Sequence, residues 1–321
     1  MPPSPKPKVV FLGPENGRLV AEAVLGPAYD LLAPPPKPEP FLEAFRDCLA
    51  FLDASMKVPL TAEAIAQAAR LKVIVTATTG ASHIDQEALA QRGIPLLTLA
   101  GQTELLRNLT PAAELSWLLL LACARRLKAA LRHVEEGGWE RTLFPGIMLR
   151  GRTLGIVGCG RLGSWMARYA SAFGMEVLGT DPFLDEFPPG IKPVSLEELL
   201  AGSDFITLHV HLSKETRNLL GPERMALIKP GAVLINTSRA ELVDQSALIR
   251  ALEEGRLAAC GVDVLSSEPE IAKDPLWQYA RDHDNVIITP HIGGFSPDAL
   301  EKVVDFSARR LLSFLEEEAR G

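Results

Sequence analysis

Short apolar runs recur along the chain and alternate with amphipathic stretches. Lys8-Val-Val-Phe-Leu-Gly13 reads as a buried strand ending in a turn, and residues 49–52 and 73–77 read the same way. Helices fit between and after them at 41–47, 61–70 and 86–92. Strands that are apolar on both faces need cover on both, and parallel strands need crossover helices, so the alternation predicts an open α/β sheet. From 109 to 133 the pattern changes. Thr110 before Pro111 supplies an N-cap followed by proline at the first helical position, and the residues after it are apolar nearly all round. One buried helix, joining two domains, is expected there. A second strand–helix alternation begins at Thr153 and runs to about 289.

Length adds a count to this pattern. The chain has 321 residues, about twice a usual domain, so two domains are expected. Apolar residues make up 47% and charged residues 23%, which excludes a disordered chain. Eleven of the 25 prolines fall in the first 40 residues. They predict a loose tail over 1–8 and a stiff surface connection over 33–40. The formal charge of −7 argues against a nucleic-acid or anionic-membrane partner. Cys48, Cys123, Cys159 and Cys260 are widely spaced, with no CxxC, and read as reduced thiols. The longest apolar stretch, 117–124, is too short to span a bilayer, and the start MPPSPKPK lacks the apolar core of a signal peptide. A cytoplasmic location is the expectation.

The strongest local signal is Gly158-Cys-Gly160-Arg161-Leu162-Gly163. GxGxxG alone is weak, but here a strand-like run precedes it, an amphipathic helix follows, and a further strand over 175–180 ends at Asp181. This is the unit of dinucleotide binding. The glycines allow a tight turn and bring a pyrophosphate to a helix N-terminus. Asp181, eighteen residues beyond Gly163, is placed to accept hydrogen bonds from ribose hydroxyls and to repel a 2′-phosphate, which favours NAD over NADP.

Three later strand-like runs end in polar residues: 231–239 in Arg239, 258–268 in Asp263 and Glu268, and 285–294 in His291 before Gly293 and Gly294. In an open parallel sheet the carboxyl ends of strands line the ligand crevice. Out of context Arg239 is a plain surface arginine and Glu268 before Pro269 closes a turn. His209 and His211, two apart on one strand face, form a possible metal pair, but no third ligand has suitable spacing, so no metal is expected.

Taken in order, these motifs resemble the D-isomer-specific 2-hydroxyacid dehydrogenases. They are Thr79-Gly80 with His83-Ile-Asp85, Asn108 with Ala113-Glu114, the glycine turn, Asn236-Thr-Ser-Arg239, Gly261-Val-Asp263-Val with Glu268-Pro269, and Pro290-His291-Ile-Gly-Gly294. The resemblance covers about 70–300. It implies a Rossmann-type doubly wound parallel sheet domain over 107–289 and a smaller flavodoxin-like α/β substrate domain over 1–106 plus 290–321, which a last helix over 297–318 rejoins. It implies that Arg239 holds the substrate carboxylate and carbonyl, that His291 is the acid or base, and that Glu268 orients His291 and stabilises its imidazolium. It implies substrate contacts at Thr79, Gly80, Ala81 and Asn108. For NAD it implies contacts at Thr79, Gly158, Gly160, Arg161, Leu162, Gly163, Asp181, Val210, Thr237, Ser238, Asp263, Gly293 and Gly294. A two-fold homodimer, joined through the helix after Pro111 and the stretch 139–148, is implied as well.

Two features depart from the family. His211 stands where proline is usual, and Ala240 follows Arg239 where glycine is usual. The phosphate-binding arginines of phosphoglycerate dehydrogenase would fall near Asp53 and Thr76, and neither is arginine here, which argues for a 2-oxo or 2-hydroxy acid without a phosphate. Arg107, beside Asn108, is a candidate for a second anionic group of the substrate. Three other readings use the same residues. They are a phosphoglycerate dehydrogenase-like enzyme, a formate- or phosphite-type dehydrogenase, and an NAD(H)-sensing protein of the corepressor type.

Overall fold

The computed structural model describes residues 5–320, so the first four residues of the expected tail lie outside the described residues. The chain forms two compact units, Met1–Leu109 with Phe295–Gly321 and Thr110–Gly294. Relative to the boundaries expected from the sequence, 107–109 and 290–294 change unit. Local hydrogen bonds account for both shifts. Leu109 N–H donates back to Leu106, and the 290–294 loop is bonded to Asp263 of the second unit.

The first unit contains β1 (Lys8–Leu12), α1 (Glu15–Leu25), β2 (Asp30–Leu32), α2 (Pro38–Phe45), β3 (Ala50–Asp53), α3 (Ala62–Gln67), β4 (Val73–Thr76), α4 (Gln86–Gln91), β5 (Leu96–Leu97) and α5 (Thr103–Arg107). All its strands are parallel, in the flavodoxin-like order β2-β1-β3-β4-β5. The strands are apolar on both faces because both are covered. Val10 and Leu12 pack into a core with Phe41, Phe45 and Phe51, whereas Val9 and Phe11 face the opposite way, into a core with Val304 and Leu311.

Two readings of this region need correction. The proline run is not a connection throughout. α2 begins at Pro38, since the first helical turn has no acceptor for the missing N–H in any case. The stretch 15–32, for which the apolar pattern gave no element, carries α1, a 3₁₀ turn and β2.

The second unit contains α6 (Pro111–Ala124), α7 (Leu127–Glu135), β6 (Thr153–Val157), α8 (Arg161–Ala172), β7 (Glu176–Thr180), β8 (Lys192–Pro193), α9 (Leu196–Gly202), β9 (Phe205–Leu208), α10 (Pro222–Leu227), β10 (Ala232–Asn236), α11 (Gln245–Glu253), β11 (Leu257–Val262), α12 (Pro275–Asp282) and β12 (Val286–Ile288). Its seven parallel strands run β12-β11-β10-β9-β6-β7-β8. Strand order reverses between β6 and β9, which is where doubly wound sheets bind ligands. The last helix, α13 (Pro297–Glu318), belongs to the first unit and packs on α1.

The single helix expected over 109–133 is two. Arg126 adopts φ 51°, a left-handed conformation that ends α6, and its guanidinium bonds the Leu143 carbonyl while the Ala124 carbonyl accepts from Ile147. Thr110 does not cap α6 through its side chain; its hydroxyl bonds Glu114 instead. α6 is also not buried all round, since Leu118 is exposed.

Lys128 of α7 locks the far edge of this sheet. Its ammonium donates to the carbonyls of Ala280, His283 and Val286, joining α12 to β12. Burial pulls that ammonium below the usual lysine range. Lys128→Met strands three carbonyls and is expected to cost roughly 2 kcal/mol and roughly 5 °C in Tm. Thermal unfolding of the variant checks this, and an unchanged Tm rejects the lock.

Candidate active site

The glycine turn is built as its chemistry requires. β6 ends at Val157, and Gly158 takes φ 91°, which disfavours any side chain. A Cβ on Gly158 would meet the His209 backbone at 2.7 Å, and one on Gly163 would meet the Gly158 carbonyl at 2.2 Å. Both glycines are therefore needed for close approach of α8 to the sheet. Gly160 differs: a Cβ there meets open space, and no side chain caps the N-terminus of α8 that it begins. Arg161 and Leu162 form the first turn. Open space over an uncapped helix N-terminus fits a pyrophosphate.

Asp181 follows β7 directly. One carboxylate oxygen accepts the Cys159 amide of the glycine turn at 2.9 Å, and the other accepts the Phe183 amide at 3.0 Å. Each oxygen keeps a lone pair for a ribose hydroxyl. Val210 lies against Gly158 from the β9 end. Cys159 itself is buried, which pushes its thiol up to about 12, so it is an inert filler.

Beneath this turn sits His209, whose Nε2 faces the Thr207 hydroxyl at 2.9 Å while its buried Nδ1 has no partner. Burial, with Arg161 nearby, pulls its imidazole down from 6.5 to about 4. The two histidines expected on one face thus differ, since His211 is exposed. Among the described residues no group of three His, Cys, Asp or Glu could hold a metal ion.

The polar residues at the ends of β10, β11 and β12 lie on three adjacent strands. After β10, the Thr237 hydroxyl bonds the Ser116 hydroxyl at 2.6 Å, the Ser238 hydroxyl donates to Leu208, and Arg239 is exposed. Asn236, which the sequence motif included without a role, is buried and donates to the Arg239 carbonyl while accepting the Ser238 amide. It fixes the turn that presents the guanidinium.

After β11, Glu268 accepts the Leu265 amide at 2.8 Å with one oxygen and meets His291 Nδ1 at 2.6 Å with the other. A ring held at Nδ1 has Nε2 left to take or give a proton. His291 has φ 54°, a strained conformation for a side-chain-bearing residue, and it is partly exposed.

Asp263 holds that conformation. It is buried, and its oxygens accept the Thr289 hydroxyl at 2.5 Å, the Ile292 amide at 2.9 Å and the Gly293 amide at 2.7 Å. Gly293 must be glycine, because a Cβ would meet that carboxylate at 2.9 Å, whereas beside Gly294 there is open space.

A further buried carboxylate, Asp274, was missed. It caps α12 and accepts from Gln245, Ser266 and Ser267, tying α11 to the segment that carries Glu268. A DP pair before an apolar helix was its sequence signal.

In the first unit, Thr79, Gly80 and Ala81 follow β4. Thr76 and Thr78 hydroxyls donate to the carbonyls of Thr78 and Gly80, and among the described residues the amides of 79–81 donate to no protein acceptor. Consecutive amides without a protein acceptor are available to an anion. Arg107 ends α5 and Asn108 follows it, both exposed.

Comparison with known proteins agrees with these features. The D-isomer specific 2-hydroxyacid dehydrogenase, NAD binding domain family matches residues 117–293. Glyoxylate reductase of Korarchaeum cryptofilum is 37% identical over 287 residues, 87% of this chain and 83% of that one. D-3-phosphoglycerate dehydrogenase of Archaeoglobus fulgidus is 40% identical over 241 residues, 74% of this chain but 44% of that longer one. The structure of D-lactate dehydrogenase from Aquifex aeolicus, solved with NAD and lactic acid, superposes with a TM-score of 0.78 at 29% identity, covering 97% of this chain and 96% of that one.

His209 makes stability acid-sensitive. Below pH 6.5 the unfolded chain takes up a proton that folded His209 refuses until about pH 4, so stability falls as pH drops through that window. His209→Asn is expected to flatten the slope by up to roughly 1 kcal/mol per pH unit. Urea unfolding at several pH values between 7 and 4 reads it, and an unchanged slope rejects the assignment.

Proposed function

The chain belongs to the D-isomer specific 2-hydroxyacid dehydrogenases and is an NAD-dependent oxidoreductase, and on that premise we propose that it reduces small, unphosphorylated 2-oxo acids to D-2-hydroxy acids. Glyoxylate and hydroxypyruvate are the substrates of choice. The observation that carries the reading is the Glu268–His291 pair at 2.6 Å, with Arg239 on a neighbouring strand end.

When bound, NADH supplies the hydride. Gly158, Gly160 and Gly163 shape the turn for its pyrophosphate, with Arg161 and Leu162 at the helix start, and Asp181 accepts the ribose hydroxyls. Val210, Thr237, Ser238, Gly293 and Gly294 line the same strand ends. Asp263 keeps the loop of His291 in place from below. Arg239 polarises the 2-oxo group and binds the substrate carboxylate through its planar fork. In the first unit the amides of Thr79, Gly80 and Ala81, with Asn108, are further donors for a substrate carboxylate. His291 Nε2 gives its proton to the forming alkoxide oxygen, and Glu268 holds the ring by Nδ1 throughout. In the oxidative direction the same nitrogen takes that proton back. Arg107 would receive a second anionic group of a longer substrate.

The similarity to D-3-phosphoglycerate dehydrogenase favours a second reading, with a phosphorylated substrate. Asp53 and Thr76 weigh against it. Both are buried, and Asp53 is a carboxylate.

The test is NADH consumption with glyoxylate, hydroxypyruvate, pyruvate, branched and aromatic 2-oxo acids, with oxidation of 3-phosphoglycerate as the contrast. His291→Ala is expected to lose at least ~10²-fold in kcat with NADH affinity kept. Arg239→Lys is expected to lose at least ~10-fold in kcat/KM, because a point charge cannot replace the fork. Near-normal turnover of either variant rejects its role.

The exposed apolar side chains of the second unit support a homodimer. Leu118, Leu127, Leu131 and Val134 on α6 and α7 are exposed, and Trp139 and Met148 beyond them are 90% and 74% exposed. So large an apolar surface calls for cover, and a second copy of the chain is its occupant. Light scattering is expected to give twice the 34.8 kDa chain mass, and Leu131→Glu to give the monomer. A monomeric wild type rejects the dimer.

A further inference from the structure

The carboxyl edge of the first unit's sheet carries a buried Asp–His hydrogen bond that the proposed chemistry does not use. Asp53, the last residue of β3, is 1% exposed. Its Oδ1 accepts the Ser55 amide at 2.9 Å, the Ser55 hydroxyl at 3.0 Å and the Met56 amide at 3.2 Å. Its Oδ2 meets His83 Nε2 at 2.6 Å. The ring of His83 is nearly enclosed, and its other nitrogen, Nδ1, is buried without a partner. Among the described residues, the bond to Asp53 is the one polar contact that holds this ring.

His83 lies on the segment that begins with the free amides of Thr79, Gly80 and Ala81. At its start the segment is tied to the end of β3 by backbone, the Ala77 amide donating to the Asp53 carbonyl at 2.7 Å. Beyond that, the Leu60 amide donates to the His83 carbonyl at 2.8 Å, the Ile84 amide turns back to the Ala81 carbonyl, the Leu99 amide donates to the Thr78 carbonyl, the Thr78 hydroxyl to the Gly80 carbonyl and the Gln86 side chain to the Ala81 carbonyl. The Asp53 carboxylate adds a side-chain tie from the end of β3 to His83, and it also shapes the neighbouring turn, where Met56 is held at φ 56°. One carboxylate thus couples two turns, 54–57 and 78–84.

We infer that Asp53 and His83 are a positioning pair that sets the geometry of the unbonded amides at 79–81, and through them the affinity for the substrate carboxylate. The inference rests on the proposal above that these amides bind that carboxylate. Neither side chain touches the substrate. The pair fixes where successive N–H groups point, which decides whether a planar carboxylate finds two donors or one. It also explains why a carboxylate is tolerated at this strand end. Asp53 is fully occupied by groups of its own chain, the Ser55 amide and hydroxyl, the Met56 amide and His83 Nε2.

The pair acts on binding and touches none of the groups proposed for proton and hydride transfer. His83→Ala is expected to raise KM for glyoxylate at least fivefold, with kcat changed less than twofold and NADH affinity unchanged. His83→Gln keeps an N–H able to reach Asp53 and is expected to restore most of the KM. Combining His83→Ala with Asp53→Asn is expected to raise KM no further than the worse single variant, since each acts through the other. Binding of oxamate, an unreactive 2-oxo acid mimic, to the NADH-loaded enzyme is expected to weaken in parallel. A thermal melt of each variant accompanies the kinetics. A purely structural role would move Tm and kcat together and would not be reversed by glutamine. An unchanged KM and oxamate affinity in His83→Ala overturns the inference, as does a wild type that binds no oxamate, or a glutamine variant as impaired as alanine. Failure of the catalytic reading is separate, and shows as retained turnover in the His291 and Arg239 variants.

Discussion

A carboxylate cut off from water must be met by donors on every side, and Asp263 is where the second unit depends on that rule most. Burying an unpaired carboxylate costs several kcal/mol, so its three donors, Thr289, Ile292 and Gly293, are held to one arrangement. That arrangement keeps His291 in a left-handed conformation it would not choose and brings Nδ1 to Glu268. The proposed proton-transfer group is therefore placed by a residue that need not meet the substrate. Lengthening Gly293 by one carbon would press on the same carboxylate, so the glycine and the aspartate form one device.

The device is repeated. Asp274 gathers α11, the Ser266–Ser267 turn and the start of α12, and Asn236 does the same, as an amide, for the turn of Arg239. In the first unit Asp53 gathers the turns after β3 and β4. Each sits at or just beyond the carboxyl end of a strand, or at the helix that returns from one. Parallel strands leave their last carbonyls and amides unpaired at that edge, and irregular backbone there has to find partners. Short acidic and amide side chains supply acceptors to several amides at once. The same edge that offers ligand-binding loops thus also needs buried acceptors to hold them still.

Much of this was legible because it is local. Strands of the parallel sheets show as continuous apolar runs, the glycine turn as a fixed spacing, and α13 as an uninterrupted amphipathic pattern from Pro297. Arg239, Glu268 and His291 were singled out because each closes a strand-like run, and the roles proposed for them came from the family resemblance. What depended on distant partners was not legible. His83 and Asp53 are 30 residues apart, and nothing in either neighbourhood says that β3 and β4 are adjacent. Asp274 reaches Gln245 across 29 residues in the same way. The break at Arg126 escaped because helix formers run on past it, and the chain turns there only through its bonds to 143 and 147. α2 began earlier than expected because proline was read as a breaker where it is the first helical residue.

Cofactor choice follows from the same economy of acceptors. Asp181 does not stand free at the end of β7. It is hydrogen-bonded to Cys159, whose neighbours Gly158 and Gly160 make the proposed phosphate turn, so the proposed ribose acceptor and pyrophosphate cradle are tied to each other. Any change that swings Asp181 aside to admit a 2′-phosphate also releases the Cys159 amide and loosens the turn. A dianion brought beside the fixed carboxylate meets repulsion without an adjacent arginine to offset it. Preference for NAD is in this sense a property of how the turn is held together, and a single substitution at Asp181 would trade away part of the cradle along with the selectivity.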